Sequence, residues 1–213
     1  MRNNDNSENI IMKKKVSYHH GDLRAALLIS AEAEISEKGI EAFSLRSVAK
    51  RAGVSHAAPT HHFGDAQGLL TALSADGYIR FVAMQEHRQK QALPDPRAQM
   101  VASGLGYIDF ATENPALFRL MFSSKKPDNT NETLAVNSAV AFEKLVEDMS
   151  KIENSDPHTE PKAMTDVMAT WAIVHGIADL LIGGSSSFIE FLDSMDKTER
   201  EATLTNIILR ACP

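Results

Sequence analysis

The chain has 213 residues, of which 43% are hydrophobic and 23% charged, with a formal net charge of −6. That is the composition of a globular protein with a sizeable core, in one large or two small domains. The negative total argues against a nucleic-acid partner, but its distribution does not: Lys13 to Phe63 carries eight Lys or Arg against five Asp or Glu, and the chain from Thr71 onward is acidic.

Residues 1–15, MRNNDNSENIIMKKK, have the composition of a disordered arm, with no apolar run of the kind a signal peptide needs. From Gly21 the pattern turns helical. Leu23, Leu27, Leu28, Ala31 and Ile35 recur at three- and four-residue steps, and Gly39 ends the helix. Phe43 plugs the connection. Ser44 caps a short second helix whose inner face is Leu45, Val48 and Ala49, and Gly53 stops it. Ser55 caps a third helix that closes at Phe63. Asp65 caps a fourth, with Leu69, Leu70, Leu73 and Ile79 on one side.

The turn Ala52-Gly53-Val54-Ser55 fits a helix-turn-helix. Gly53 gives the tight turn its backbone freedom, Val54 packs the turn onto the core, and Ala49 lets the two helices approach steeply. Such a unit lays its second helix in the major groove. The composition of AKRAGVSHAAPTHHF then has a reason. Hydroxyls and imidazoles donate to phosphates or base edges, and small residues let the backbone approach. The candidate DNA-binding residues are Ser44, Arg46, Lys50, Ser55, His56, Ala57, Thr60, His61 and His62. Pro59 falls in the first turn, where a helix tolerates it. A generic helical hairpin with a solvated second helix is the competing reading.

Residues 18–73 resemble the DNA-binding domain of TetR-family transcriptional regulators. The resemblance rests on the first helix ending in EKG, the FSLRSVA entry, the RAGVS turn and the closing HF before GLL, in that order. YHHGDLR and VSHAAP look like one recurring subgroup. The resemblance implies an all-α homodimer, with an N-terminal three-helix DNA-binding domain at 16–64 and a helical ligand-binding and dimerisation domain at 65–213, about nine helices in all. It also implies a repressor released from a palindromic operator by a small effector. Thr60 stands where the family usually has a tyrosine, and Ala66 where it usually has a phosphate-contacting lysine. Each departure removes reach or charge at the DNA backbone. His61, His62 or the Lys13–Lys15 arm would have to compensate.

The spacing predicts further helices over about 97–113, at PALFRLMF behind Pro115, over about 134–152, and two long apolar helices over about 161–182 and 187–210. LPDP, SSKKPDNTNET and ENSDPHTEP read as breaks or loops. The stretch TWAIVHGIADLLIGG is shorter than the ~20 residues of a membrane span, so no membrane partner and a cytoplasmic protein are expected. WAIVHGIADL resembles the Trp-His-Gly signature of one C-terminal domain type of the same family, through Trp171, His175 and Gly176. A satisfied core histidine beside a core tryptophan is the plain alternative. The last two helices are too apolar to stand alone, and a four-helix dimer interface would bury them; a monomeric core is the alternative. For a small, largely apolar effector the candidate lining is Phe110, Phe118, Met121, Phe142, Met168, Trp171 and His175.

No Gly-rich phosphate loop, H-E-x-x-H or nucleophile elbow is present, so no enzyme activity and no cofactor are expected. Neither is a metal site: His19–His20 and His61–His62 diverge on a helix, and Cys212 is a lone cysteine that suits a reducing compartment. A helical ligand-binding or interaction protein with a degenerate helix-turn-helix is the alternative to a regulator that binds palindromic double-stranded DNA, a small effector and a second copy of itself.

Overall fold

The apolar period at Leu27, Leu28, Ala31 and Ile35 closes into α1 (His20–Lys38), with all four side chains buried. The computed structural model describes residues 20–184 and 187–211; the N-terminal arm, Lys13–Lys15, His19 and Cys212 lie outside them. Gly39 follows α1 at φ +79°, a left-handed conformation that favours glycine. The helices α2 (Leu45–Arg51) and α3 (Ala58–Phe63) come next, and Gly53 between them sits at φ +67°. The Val54 N–H donates to the Ala49 carbonyl at 3.0 Å, which folds the turn back on α2.

The third helix begins later than Ser55. Its N-cap position is Ala57, with no side-chain cap, because Pro59 is placed near the first turn. Ser55 instead supplies a carbonyl to the Ala58 N–H, at 3.0 Å. Ser44 takes the N-cap position of α2 in extended backbone, but its hydroxyl makes no capping bond.

Asp65 caps α4 (Ala66–Gln89) by accepting from the Gly68 N–H at 2.8 Å. Leu69, Leu70 and Leu73 are buried, whereas Ile79 is 57% exposed and lies off that face. α5 (Pro96–Glu113) and α6 (Pro115–Phe122) wrap the distal part of α4, and α7 (Glu132–Glu153) flanks both α4 and α5. α8 (Pro161–Gly183) packs on α5 and α7. The expected helix over 187–210 is two, α9 (Ser187–Asp193) and α10 (Lys197–Ala211). The break is made by a reciprocal cap. Asp196 Oδ1 accepts from the Thr198 and Glu199 N–H groups at 2.8 and 2.9 Å, and Glu199 Oε2 accepts from the Asp196 N–H at 3.2 Å. The described residues therefore hold ten helices and no strand.

One continuous core runs from Leu27 and Val48 through Leu69, Phe81, Phe110 and Phe118 to Leu204 and Ile208, and a smaller one joins Met100, Val146, Met149 and Val167. α4 and α5 approach closely at Gly106, where an added Cβ would stand 2.7 Å from the Gln85 Cα. Arg80 on α4 ties α1 to the α5–α6 corner. It holds Glu32 of α1 with two nitrogens, at 2.6 and 3.0 Å, and donates to Asn114 Oδ1 at the α5–α6 corner at 2.8 Å. The Arg80 side chain is 39% exposed, so screening limits its stabilisation to about 1 kcal/mol or less. Its main effect is to fix the angle of α1 on α4.

α8 is 23 residues long, and by length and composition it would pass for a membrane span, contrary to the sequence expectation. Only 28% of its most apolar window is buried inside the protomer. Ile173 and Leu180 stand on its exposed side, and Phe191 of α9 and Leu209 of α10 are exposed too.

Candidate nucleic-acid interface and cavity

The cations of the α1–α2 region fall into two groups. Lys38 donates to Glu34 at 2.8 Å and to the Ser47 hydroxyl at 2.7 Å, and Arg51 pairs with Glu37. Burial alone would raise the Glu34 carboxyl. Hydrogen bonds from Lys38 and Ser47, and the Lys38 and Arg51 charges, outweigh burial and hold it below its ordinary value. These groups lock α1 onto α2. Arg46 and Lys50 belong to the second group: both are exposed on α2. Ser44, Ser55, His56, Ala57, Thr60 and His61 are exposed along the same unit, and His62 is half-buried. The His61 and His62 rings meet edge to face at 5.4 Å, and Arg24 of α1 lies 5.3 Å from the Phe63 ring centroid, pinning the end of α3. Ala66 is half-buried in the first turn of α4. The nine candidate residues thus share one end of the molecule, with hydroxyl, imidazole and cationic groups turned outward.

Away from that end, α4, α5, α6, α7 and α8 line a cavity of about 670 Å³. That is within the range of small-molecule sites. Met121, Phe142, Met168, Trp171 and His175 line it. Phe110 and Phe118 do not. Both are fully buried one layer behind the wall, Phe110 against Phe81 at 5.4 Å and Phe118 stacked on His175 at 5.4 Å. The reason is that α5 turns Phe110 onto Phe81 of α4, and α6 turns Phe118 onto Tyr107 of α5 and His175 of α8, where large aromatics bury the most area.

The sequence reading missed the α4 and α5 walls: Tyr78, Phe81 and Gln85 from α4, and Met100, Ser103 and Tyr107 from α5. The signal was present in the spacing. Tyr78, Phe81 and Gln85 fall at i, i+3 and i+7, and Met100, Ser103 and Tyr107 repeat it. Gln85 and Ser103 are 5% and 3% exposed and satisfy each other, the Ser103 hydroxyl donating to Gln85 Oε1 at 2.8 Å.

Tyr107 and His175 form the second polar pair, with 2.7 Å between the phenol oxygen and Nδ1. Burial pushes the Tyr107 phenol far above its ordinary value, while a hydrogen bond from Trp171 works the other way. Tyr107 therefore keeps its proton, and because His175 Nδ1 is the acceptor within reach of this phenol, we assign the phenol as donor and place the proton of the neutral His175 on Nε2. Burial also lowers the His175 pKa below its ordinary 6.5, and Asp179, one turn on, offsets part of this. The unfolded chain then takes up this proton first. Its contribution is constant above 6.5 and stability is lost as pH falls below 6.5, until the folded imidazole protonates too. Urea unfolding of the wild type and His175→Gln across this range is expected to give parallel curves above 6.5 and a steeper loss for the wild type below it. Parallel curves throughout would contradict the buried, neutral imidazole.

Two family models match the chain. The model described as "Bacterial regulatory proteins, tetR family" covers residues 27–73, and "Tetracyclin repressor-like, C-terminal domain" covers residues 100–203. Among curated proteins, the HTH-type transcriptional regulator BetI of Yersinia pestis (strain Pestoides F) is 34% identical over 98 residues, 45% of this chain and 49% of that protein. BetI of Burkholderia lata is 37% identical over 82 residues, 38% of this chain and 42% of that protein. The matched segment thus spans about half the length of these relatives. Among solved structures, a protein of unknown function from Rhodococcus sp. RHA1 superposes with a TM-score of 0.74 at 30% identity, covering 93% of this chain and 99% of that one. The TetR-family regulator PfmR of Thermus thermophilus shares the fold, with a TM-score of 0.61 at 21% identity over 86% of this chain and 97% of that one. With a helix-turn-helix at one end, a helical body at the other and both parts matched in order, the chain belongs to the TetR family of transcriptional regulators.

Proposed function

We propose that this regulator works as a cytoplasmic homodimeric repressor. In this reading each protomer lays α3 in the major groove of one half of a palindromic operator, and a small, largely apolar effector in the cavity releases it. The observation that carries the reading is the course of α4. Its capped first turn follows α3 directly, and four turns on it contributes Tyr78, Phe81 and Gln85 to the cavity wall. A ligand that shifts those residues tilts the helix on which α3 rests, so cavity and DNA surface share one rigid element.

The dimer reading is supported by the outer face of α8. Ile173 and Leu180 are exposed there, and a Cβ added at Gly176 would meet nothing within 4 Å in the protomer, which leaves room for a partner helix to approach. A second copy covering α8 and α10 would explain why so apolar a helix is left bare better than a lipid phase would, since the same helix carries His175 and Asp179. The Trp-His-Gly assignment of the C-terminal part rests on Trp171, His175 and Gly176 lying on α8.

The test is an unbiased selection of DNA fragments by the purified chain at moderate salt. Enrichment of one palindrome is expected. On that palindrome, Lys50→Ala should weaken binding to all sequences alike and reduce the salt slope by about one phosphate contact, whereas His56→Ala should alter base preference. If neither change affects binding to any sequence, α3 is not docked as proposed. A folded dimer that enriches nothing at any salt would instead favour the degenerate helix-turn-helix implied by Thr60 and Ala66.

A further inference from the structure

The cavity has aromatic walls, two polar pairs, three further polar residues, Asn129, Ser138 and Thr170, and no Asp, Glu, Lys or Arg in its lining. Its size and walls set the body of a ligand. Phe81, Phe122 and Trp171 present ring faces and edges, and Tyr107 and Phe122 stack at 6.0 Å, which suits a flat apolar frame. The polar groups set the rest. Tyr107 donates to His175 Nδ1, which leaves the neutral ring with an N–H at Nε2. In the Gln85 amide the oxygen is taken by Ser103 at 2.8 Å, while the nitrogen reaches only the Phe81 carbonyl, at 3.5 Å, the limit of a hydrogen bond. One amide N–H is therefore left to a ligand. Each pair thus keeps an N–H for the cavity, from Gln85 and from His175, while the Ser103 oxygen, Asn129 and Ser138 are further polar groups of the lining.

We propose that the cavity takes an uncharged ligand with a flat apolar body and a hydrogen-bond-accepting oxygen, such as an aryl ketone, ester or amide, the oxygen met by the N–H groups of His175 and Gln85. A cation would find no carboxylate in the lining and would have only the ring faces to attract it. An anion would lose its hydration without gaining a positive charge. A plain hydrocarbon would leave both donors unpaired in an apolar site, which costs more than the hydrogen bonds themselves contribute.

The inference rests on the cavity being the effector site, but its test uses no DNA, so it fails separately from the repressor reading. Trp171 is the single tryptophan of the chain and lines the cavity, so its emission reports occupancy directly. The purified full-length chain is titrated with four probes on one frame: 2-acetylnaphthalene, 2-ethylnaphthalene, 2-naphthoate and (2-naphthylmethyl)ammonium. Calorimetry on the same samples corrects for absorbance by the probes. The ketone is expected to bind about tenfold more tightly than the hydrocarbon, the ratio one good hydrogen bond supplies, and more tightly than either ion. In the paired variants Gln85→Leu with Ser103→Ala, and His175→Phe with Tyr107→Phe, each polar pair is removed together, the second also taking away the phenol that Trp171 hydrogen-bonds. Each is expected to reduce the preference for the ketone while keeping affinity for the hydrocarbon. Equal binding of ketone and hydrocarbon, tighter binding of either ion, or no binding of any probe overturns the proposal. The wild-type series decides this even if a variant does not fold.

Discussion

Replacing both Ile173 and Leu180 by glutamate is expected to give a folded monomer with about 10²–10⁴-fold weaker binding to the palindrome. The two side chains are 39% and 49% exposed in the protomer, so charges there meet water and leave the fold intact. In a dimer the same charges would be buried against an apolar partner helix, and unpaired buried charge is strongly unfavourable. Loss of the dimer turns one bivalent binding event into two independent half-site contacts, which removes the effective concentration that one bound half lends the other. Neither residue lines the cavity, so binding of small probes should be unchanged. Light scattering coupled to size exclusion, with DNA titration on the same samples, checks the result. A variant that stays dimeric at native affinity would place the interface elsewhere.

Gly68→Ala is expected to have the largest effect of any single methyl group added in the DNA-binding end. A Cβ there would stand 2.0 Å from the carbonyl oxygen of Phe63 and 3.2 Å from its carbon. Both are backbone atoms of the last residue of α3, so no rotamer change relieves the contact. The first turn of α4 must swing away from α3, which also strains the Asp65 cap on the Gly68 N–H. Overpacking against backbone costs about 3 kcal/mol, a fall of roughly 6–12 °C in Tm for a chain of this size. Because the displaced element is α3 itself, affinity should fall for every DNA sequence. Thermal unfolding beside DNA titration measures both, and a stable variant with native affinity would mean that this corner tolerates opening.

The DNA-binding end was readable from the sequence because its determinants are local. Gly39 and Gly53 occupy left-handed backbone, Asp65 caps its own helix, and Val48 and Ala49 form the buried face of α2 at helical spacing. Capping, turn chemistry and periodicity act within four residues, so they show in the sequence itself. Where that reading slipped, a stronger local rule had been passed over. Pro59 moved the start of α3 from Ser55, and the Asp196–Glu199 reciprocal cap divided the last apolar stretch in two.

The cavity was legible only in part, because a cavity is made by what does not touch. Trp171 and His175 lie on its wall through their own helix spacing. Phe110 and Phe118 have the same apolar character as Phe142, yet they fill the core while Phe142 faces space. That distinction depends on the crossing of α4, α5 and α6, which no single helix encodes. Gln85 and Ser103 read as surface residues one at a time, and became a buried pair because Gly106 lets α5 close on α4 at the Gln85 backbone. The sequence by itself therefore determined the helices, their caps and the DNA-facing end. The tertiary structure decided which apolar side chains are core, which are wall and which polar groups face the cavity, since packing between helices distant in sequence sets all three.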